Sequence, residues 1–189
     1  MSEFTWLLGE PALSEFRRTR LSCQLANRFG QESSVDARFV YFVDSARHLE
    51  AAETKRLCDL LHAEHSPALD ADGLILVVPR LGTQSPWSSK ATDIASRCGL
   101  QEVKRIERGT AYWVTDKTSL ERVNTLELRG LLHDRMTQSV LVGCDGARAL
   151  FQHGLPRPLG HIPVLLEGAD ALRRADRELG LALSDEEMD

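Results

Sequence analysis

A chain of 189 residues, with 42% hydrophobic and 27% charged residues, can bury one sizeable core, or one domain with a short appendage. Its formal net charge of -5 and its scattered lysines and arginines give no basic stripe, so nucleic acid is not an expected partner. No apolar run approaches the ~18 residues of a membrane span, and Met1-Ser2-Glu3-Phe4 lacks the basic and apolar regions of a signal peptide, so no membrane partner is expected and the location reads as cytoplasmic.

A short apolar start, Phe4 to Leu8, leads to Pro11 at the place of a first helical turn. Leu13, Phe16, Leu21, Leu25 and Phe29 then recur at helical spacing up to Gly30, which predicts an amphipathic helix with Arg17, Arg18 and Arg20 on a solvated face. Ala37 to Val43 has the aromatic and β-branched content of a buried strand, closed by Asp44 and Ser45. A second helix is predicted from Leu49 to Ala63, with Glu50 and Glu53 in the first turn, where the helix dipole favours acids. Ser66 to Asp72 reads as a loop. The apolar run Leu74-Ile75-Leu76-Val77-Val78-Pro79 is too short for a typical helix, is stopped by proline, and reads as a central strand.

Beyond that strand lies a dense polar stretch, from Arg80 through Ser88-Ser89-Lys90 to Asp93. Pro86 biases Ser85 away from helix, so the next helix should begin at Trp87 or Ser88 under a serine cap, with Ile94, Ala95 and Cys98 on its inner face and Gly99 ending it. Val103 to Arg108 and Ala111 to Thr115 alternate like the two arms of a hairpin turning at Arg108-Gly109-Thr110. Asp116 to Ser119 offers caps for a helix carried by Leu120, Val123, Leu126 or Leu128, Leu131 and Leu132 towards His133-Asp134-Arg135-Met136. The domain reading is 1–143, then a connector at 144–168 rich in Pro and Gly, then 169–189 as the start of a further helical domain. In the last segment a helix from Ala169 to Leu179 precedes Ser184-Asp185-Glu186-Glu187, a capping box that announces another helix, and the chain reads as a piece of a longer protein.

Candidate chemistry is sparse. Cys23, Cys58, Cys98 and Cys144 have no paired spacing and read as buried or half-buried free thiols in a reducing cytosol. His62 and His65 resemble a metal pair in spacing only. His133 and Asp134 are adjacent on a predicted helix, where neighbours diverge, and read as structural. No metal site, no Gly-x-Ser-x-Gly elbow and no phosphate-binding P-loop is present. What remains is Arg80, Thr83, Ser85, Trp87, Ser88, Ser89, Lys90, Thr92 and Asp93 at one strand-to-helix turn. That cluster is open to three readings: a polar interface to another domain, a self-contained capped turn, or an anion held by backbone amides with Ser88, Ser89 and Lys90.

The run Val78 to Ala95, with Ser85-Pro86-Trp87-Ser88-Ser89-Lys90-Ala91-Thr92-Asp93 at its centre, together with Arg105-Ile106-Glu107-Arg108-Gly109-Thr110-Ala111-Tyr112, Leu132-His133-Asp134-Arg135-Met136-Thr137 and Leu179 to Glu187, closely resembles the N-terminal region of the large single-chain phosphoribosylformylglycinamidine synthase. That family, also called formylglycinamide ribonucleotide amidotransferase, makes formylglycinamidine ribonucleotide from formylglycinamide ribonucleotide, glutamine and ATP in purine biosynthesis. The resemblance implies an α+β domain of two fused ferredoxin-like halves, similar to the small-subunit dimer of multi-subunit versions, plus the start of a helical linker domain. It implies no catalytic residue and no cofactor in this chain, since ATP, magnesium and the cysteine nucleophile belong to synthetase and glutaminase domains of the same polypeptide. The domain would dock on those regions and help form the ammonia passage between them, and Arg80, Thr83, Ser85, Trp87, Ser88, Ser89, Lys90, Thr92 and Asp93 are read as the surface facing the synthetase active site. A free-standing regulatory domain that binds a small molecule is the alternative.

Overall fold

The computed structural model describes residues 3–30, 32–65, 73–141, 143–152 and 158–188. It divides into a first unit, Met1–His153, and a second, Gly154–Asp189.

Two long strands, β2 (Ser33–Ser45) and β4 (Val103–Asp116), run antiparallel through the middle of the first unit, with Phe39 opposite Thr110 and Val40 opposite Gly109. Flanking them are β1 (Glu3–Pro11) beside β2, and β3 (Ile75–Pro79) beside β4, with β5 (Gln138–Leu141) outside β3, giving the antiparallel order β1-β2-β4-β3-β5. Helices α1 (Glu15–Phe29), α2 (Ala51–Leu61), α3 (Pro86–Arg97) and α4 (Leu126–Leu132) alternate with the strands. The succession of outer strand, helix, long inner strand and helix therefore occurs twice, and β1-β2 mirrors β3-β4 across the central ladder. Even the helix starts correspond, since Ser14 caps α1 and Ser85 caps α3, each hydroxyl accepting a backbone N–H three residues on. The molecule is α+β, as the sequence implied.

Side chains alternate across the strands and sort into two layers. On one face Leu7, Tyr41, Val43, Val103 and Ile106 pack under α2 and α3, while Val35, Ile75, Val77 and Val114 pack under α1 and α4. On the other, Leu8, Val40, Phe42, Leu74, Leu76, Val78 and Ala111 meet Ala147 and Leu150 of a 3-10 helix, Asp145–Phe151, and Cys144 just before it. Burial on both faces explains the unbroken apolar runs at Phe39 to Val43 and Leu74 to Val78.

Several expectations are corrected. Pro11 ends β1 instead of opening a helix; α1 starts after the Ser14 cap. The hairpin at Gly109 does not exist, because β4 runs straight through it. A Cβ there would lie 2.8 Å from the Val77 carbonyl oxygen and 3.1 Å from Phe42, so glycine marks a close approach of β3 within the sheet. Asp116 caps no long helix: its carboxylate closes a turn by accepting from Thr118 and Ser119, and α4 begins only after Thr125. Ile94 and Cys98 face solvent, leaving Ala95 with Leu100 to fill the space beneath α3. Residues 145–151, read as connector, contribute to the core. The loop at Ser66 to Asp72 and Pro156 lie outside the described residues.

In the second unit α5 (Val164–Glu167), α6 (Ala169–Leu179) and the short α7 (Asp185–Met188) follow one another. Only half of the expected capping box forms: Glu187 accepts the Ser184 N–H and hydroxyl at 2.9 Å, while the Glu187 N–H donates to the Ser184 backbone carbonyl and not to its hydroxyl; a Glu167–Arg174 ion pair joins α5 to α6. Val164, Leu165 and Leu166 are exposed.

Candidate functional site

Where β3 stops at Pro79, the chain turns through a bend that is fastened from behind. The Arg80 N–H donates to the Thr137 carbonyl at 2.9 Å, and Gly82 adopts φ +80°, which glycine reaches without strain. Thr83 closes the turn by donating its hydroxyl to the Arg80 carbonyl at 2.6 Å. Ser85 is extended, as a residue before proline prefers, and its Oγ accepts the Ser88 N–H at 3.1 Å, so α3 starts with Pro86 in its first turn.

The fastening is Glu107, whose carboxylate is fully buried on β4. Its Oε2 accepts the Ser85 hydroxyl at 2.8 Å, and its Oε1 accepts the Ser85 N–H at 3.2 Å and Arg105 Nη2 at 2.5 Å. The same Arg105 nitrogen donates to the Thr83 carbonyl at 2.7 Å, and the guanidinium lies 5.4 Å from the Phe151 ring centre. One buried charge pair thereby fixes the bend at two residues, Thr83 and Ser85.

Trp87 is half-buried and stacks on Tyr41 with ring centres 5.6 Å apart, while the Arg108 guanidinium lies 4.9 Å from the Trp87 ring centre and 4.5 Å from that of Phe39. Burial pushes the Tyr41 phenol above its ordinary pKa, and Arg108 opposes that shift. Thr92 turns inward and accepts the Ile106 N–H at 3.0 Å; Asp93 pairs with Arg97 one turn on. Ser88 is buried and its hydroxyl has no hydrogen-bond partner among the described residues. Arg80, Ser89 and Lys90 are exposed and make no side-chain hydrogen bond to another described residue.

The nine residues singled out in the sequence thus divide. Thr83, Ser85, Trp87, Thr92 and Asp93 are engaged within the domain, Ser88 is buried in the first turn of α3, and Arg80, Ser89 and Lys90 are exposed. An anion cradle at the start of α3 is short of donors, because the Ser85 and Ser88 N–H groups are already used and Pro86 has none.

Elsewhere, His133 donates Nδ1–H to the Arg129 carbonyl at 2.6 Å, and Asp134 accepts from the Met136 N–H and the Thr137 hydroxyl, so the two neighbours form no dyad. His62 and His65 are exposed at the end of α2. Cys23 and Cys98 are exposed free thiols, against expectation; Cys58 is half-buried and Cys144 buried. Among the described residues no cluster of three or more His, Cys, Asp or Glu could hold a metal ion, and no helix is long and apolar enough to cross a membrane. Sequence reasoning did not single out Arg105, Glu107 and Arg108. Their signal was three charges in the middle of a strand whose other residues are largely buried.

The family model described as formylglycinamide ribonucleotide amidotransferase N-terminal matches residues 38–151, more than half of the chain. The chain belongs to this family. Membership assigns it to an amidotransferase of purine biosynthesis. The matched span starts inside β2 and ends on the last residue of the 3-10 helix, so it contains the whole bend, α3 and the Arg105–Glu107 pair.

Proposed function

We propose that this chain is the N-terminal structural and interface domain of an ATP- and glutamine-dependent synthase, a carbon-nitrogen ligase that converts formylglycinamide ribonucleotide to formylglycinamidine ribonucleotide in the cytoplasm. ATP and magnesium act in a synthetase domain and glutamine hydrolysis in a glutaminase domain of the same polypeptide; this chain by itself turns over nothing. Its part is to dock against both and help enclose the ammonia that passes between them. Ammonia has to be kept from protons in transit, because ammonium has no lone pair to attack the activated substrate.

The observation that carries this reading is the contrast between the two sides of the bend. Behind it, a buried ion pair fixes the backbone; in front, Arg80, Ser89 and Lys90 stand exposed. A surface held in one conformation before contact loses less entropy on docking than a mobile loop does.

The test is coupling in the complete polypeptide. Lys90→Glu combined with Ser89→Ala should raise the glutamine hydrolysed per amidine formed several-fold, while synthesis driven by added ammonia is retained. An unchanged ratio of the two would leave the bend as local structure only.

A further inference from the structure

Beside the bend lies an open groove of about 470 Å³, within the range of ligand clefts, lined by Arg80, Thr83, Gln84, Arg108, Met136 and Gln138 among others. None of its lining residues is acidic, although the chain as a whole carries more acids than bases. Two acids beside the groove are already engaged. Glu107 is paired to Arg105 on the opposite face of β4 from Arg108, and Asp134, on the turn that supplies Met136 and Thr137, has its oxygens occupied by that same turn. Among the described residues neither Arg80 nor Arg108 has an ion-pair partner. Arg108 is held between the rings of Phe39 and Trp87, so its orientation is set before any ligand arrives.

We propose that this groove receives a carboxylate-bearing peptide segment. The guanidinium groups match a carboxylate as a two-toothed acceptor, the Gln84 and Gln138 amides offer further N–H donors, and the exposed Met136 with Pro79 and Pro86 gives the groove apolar walls suited to a chain. A phosphate fits less well, since at the helix start the Ser85 and Ser88 N–H groups are spent internally and Pro86 has none. That the segment belongs to a neighbouring domain of the synthase rests on the interface reading above; the preference for carboxylate does not.

The experiment is a titration of the isotope-labelled 189-residue chain, followed by amide resonances, with an acetylated hexaglutamate peptide as probe and hexaglutamine and inorganic phosphate as comparisons. The expected result is a set of shifts confined to Arg80, Thr83, Arg108 and Gln138 with hexaglutamate. Binding should weaken at least tenfold in Arg80→Glu, weaken less in Arg80→Gln, and fall with added salt. Both variants alter an exposed side chain, so an unchanged spectrum elsewhere confirms the fold. No shift with hexaglutamate, binding indifferent to Arg80→Glu, or equal shifts with phosphate at equal concentration would each overturn the proposal. The titration involves no synthesis, so its failure is distinct from a failure of the coupling experiment.

Discussion

Ser85 meets Glu107 twice, giving one carboxylate its backbone N–H at 3.2 Å and its hydroxyl at 2.8 Å, while the same hydroxyl oxygen accepts the Ser88 N–H. A single serine thus starts a helix and ties it to the middle of the sheet. The exposed face of the bend depends on this arrangement.

Removing the carboxylate should therefore be costly. Glu107→Ala leaves Arg105 largely enclosed without its partner, and breaking a buried pair from one side costs roughly 3–5 kcal/mol. Glu107→Gln keeps the shape and one acceptor and should lose distinctly less. Urea unfolding of the two variants checks the order, and equal losses would mean that packing, not charge, matters at this position.

The two equivalent caps should differ in strength. Ser14 caps α1 and has no other side-chain hydrogen bond among the described residues, so Ser14→Ala should cost about 1 kcal/mol. Ser85→Ala loses its cap and also strips a donor from a buried carboxylate, which adds roughly 1–3 kcal/mol. Thermal unfolding of both variants measures the difference.

Gly109→Ala tests the close approach of β3 to β4. A methyl group 2.8 Å from the Val77 oxygen must push β3 aside, at a cost of roughly 1–3 kcal/mol. A neutral variant would contradict the close approach of the Val77 backbone to this position.

Acid should weaken the domain in a definable window. Two bonds from Arg47, then the Glu50 N–H, hold the Glu53 carboxyl down from 4.5 to about 2. A pKa lowered by folding stabilises the fold above the ordinary value, and that contribution is lost as pH falls from 4.5 towards 2. Asp116 and Asp134, lowered chiefly by backbone N–H groups, act in the same direction. The Tm difference between the wild-type chain and Glu53→Gln should be largest near neutral pH and shrink through that window; a difference constant down to pH 2 would contradict the assignment.

How far these features could be read beforehand follows from how local their causes are. That a serine caps α3, the β3 run and the short helix after Ser184 are set by neighbours in sequence and were legible, although α3 starts at Pro86 under Ser85 and not at Trp87 or Ser88. Gly109 misled because Gly followed by Thr between alternating residues has the local signature of a turn, whereas its cause is the Val77 backbone, which only the sheet brings there. Asp116 misled in the same way, since an Asx turn and a helix cap share one sequence signal. Within the site, the polar density after Pro79 was visible, but which of its side chains face inward was not, because that depends on Glu107, Arg105 and Ile106 on another strand.

The proposal stands or falls on whether the front of α3 is covered in the complete synthase. Ser89→Cys, labelled with a maleimide and located by peptide mapping, reads this directly. The residue should react freely in the 189-residue chain, where Ser89 is exposed, and be protected at least tenfold in the complete polypeptide. Equal labelling in both would show that nothing docks on this face.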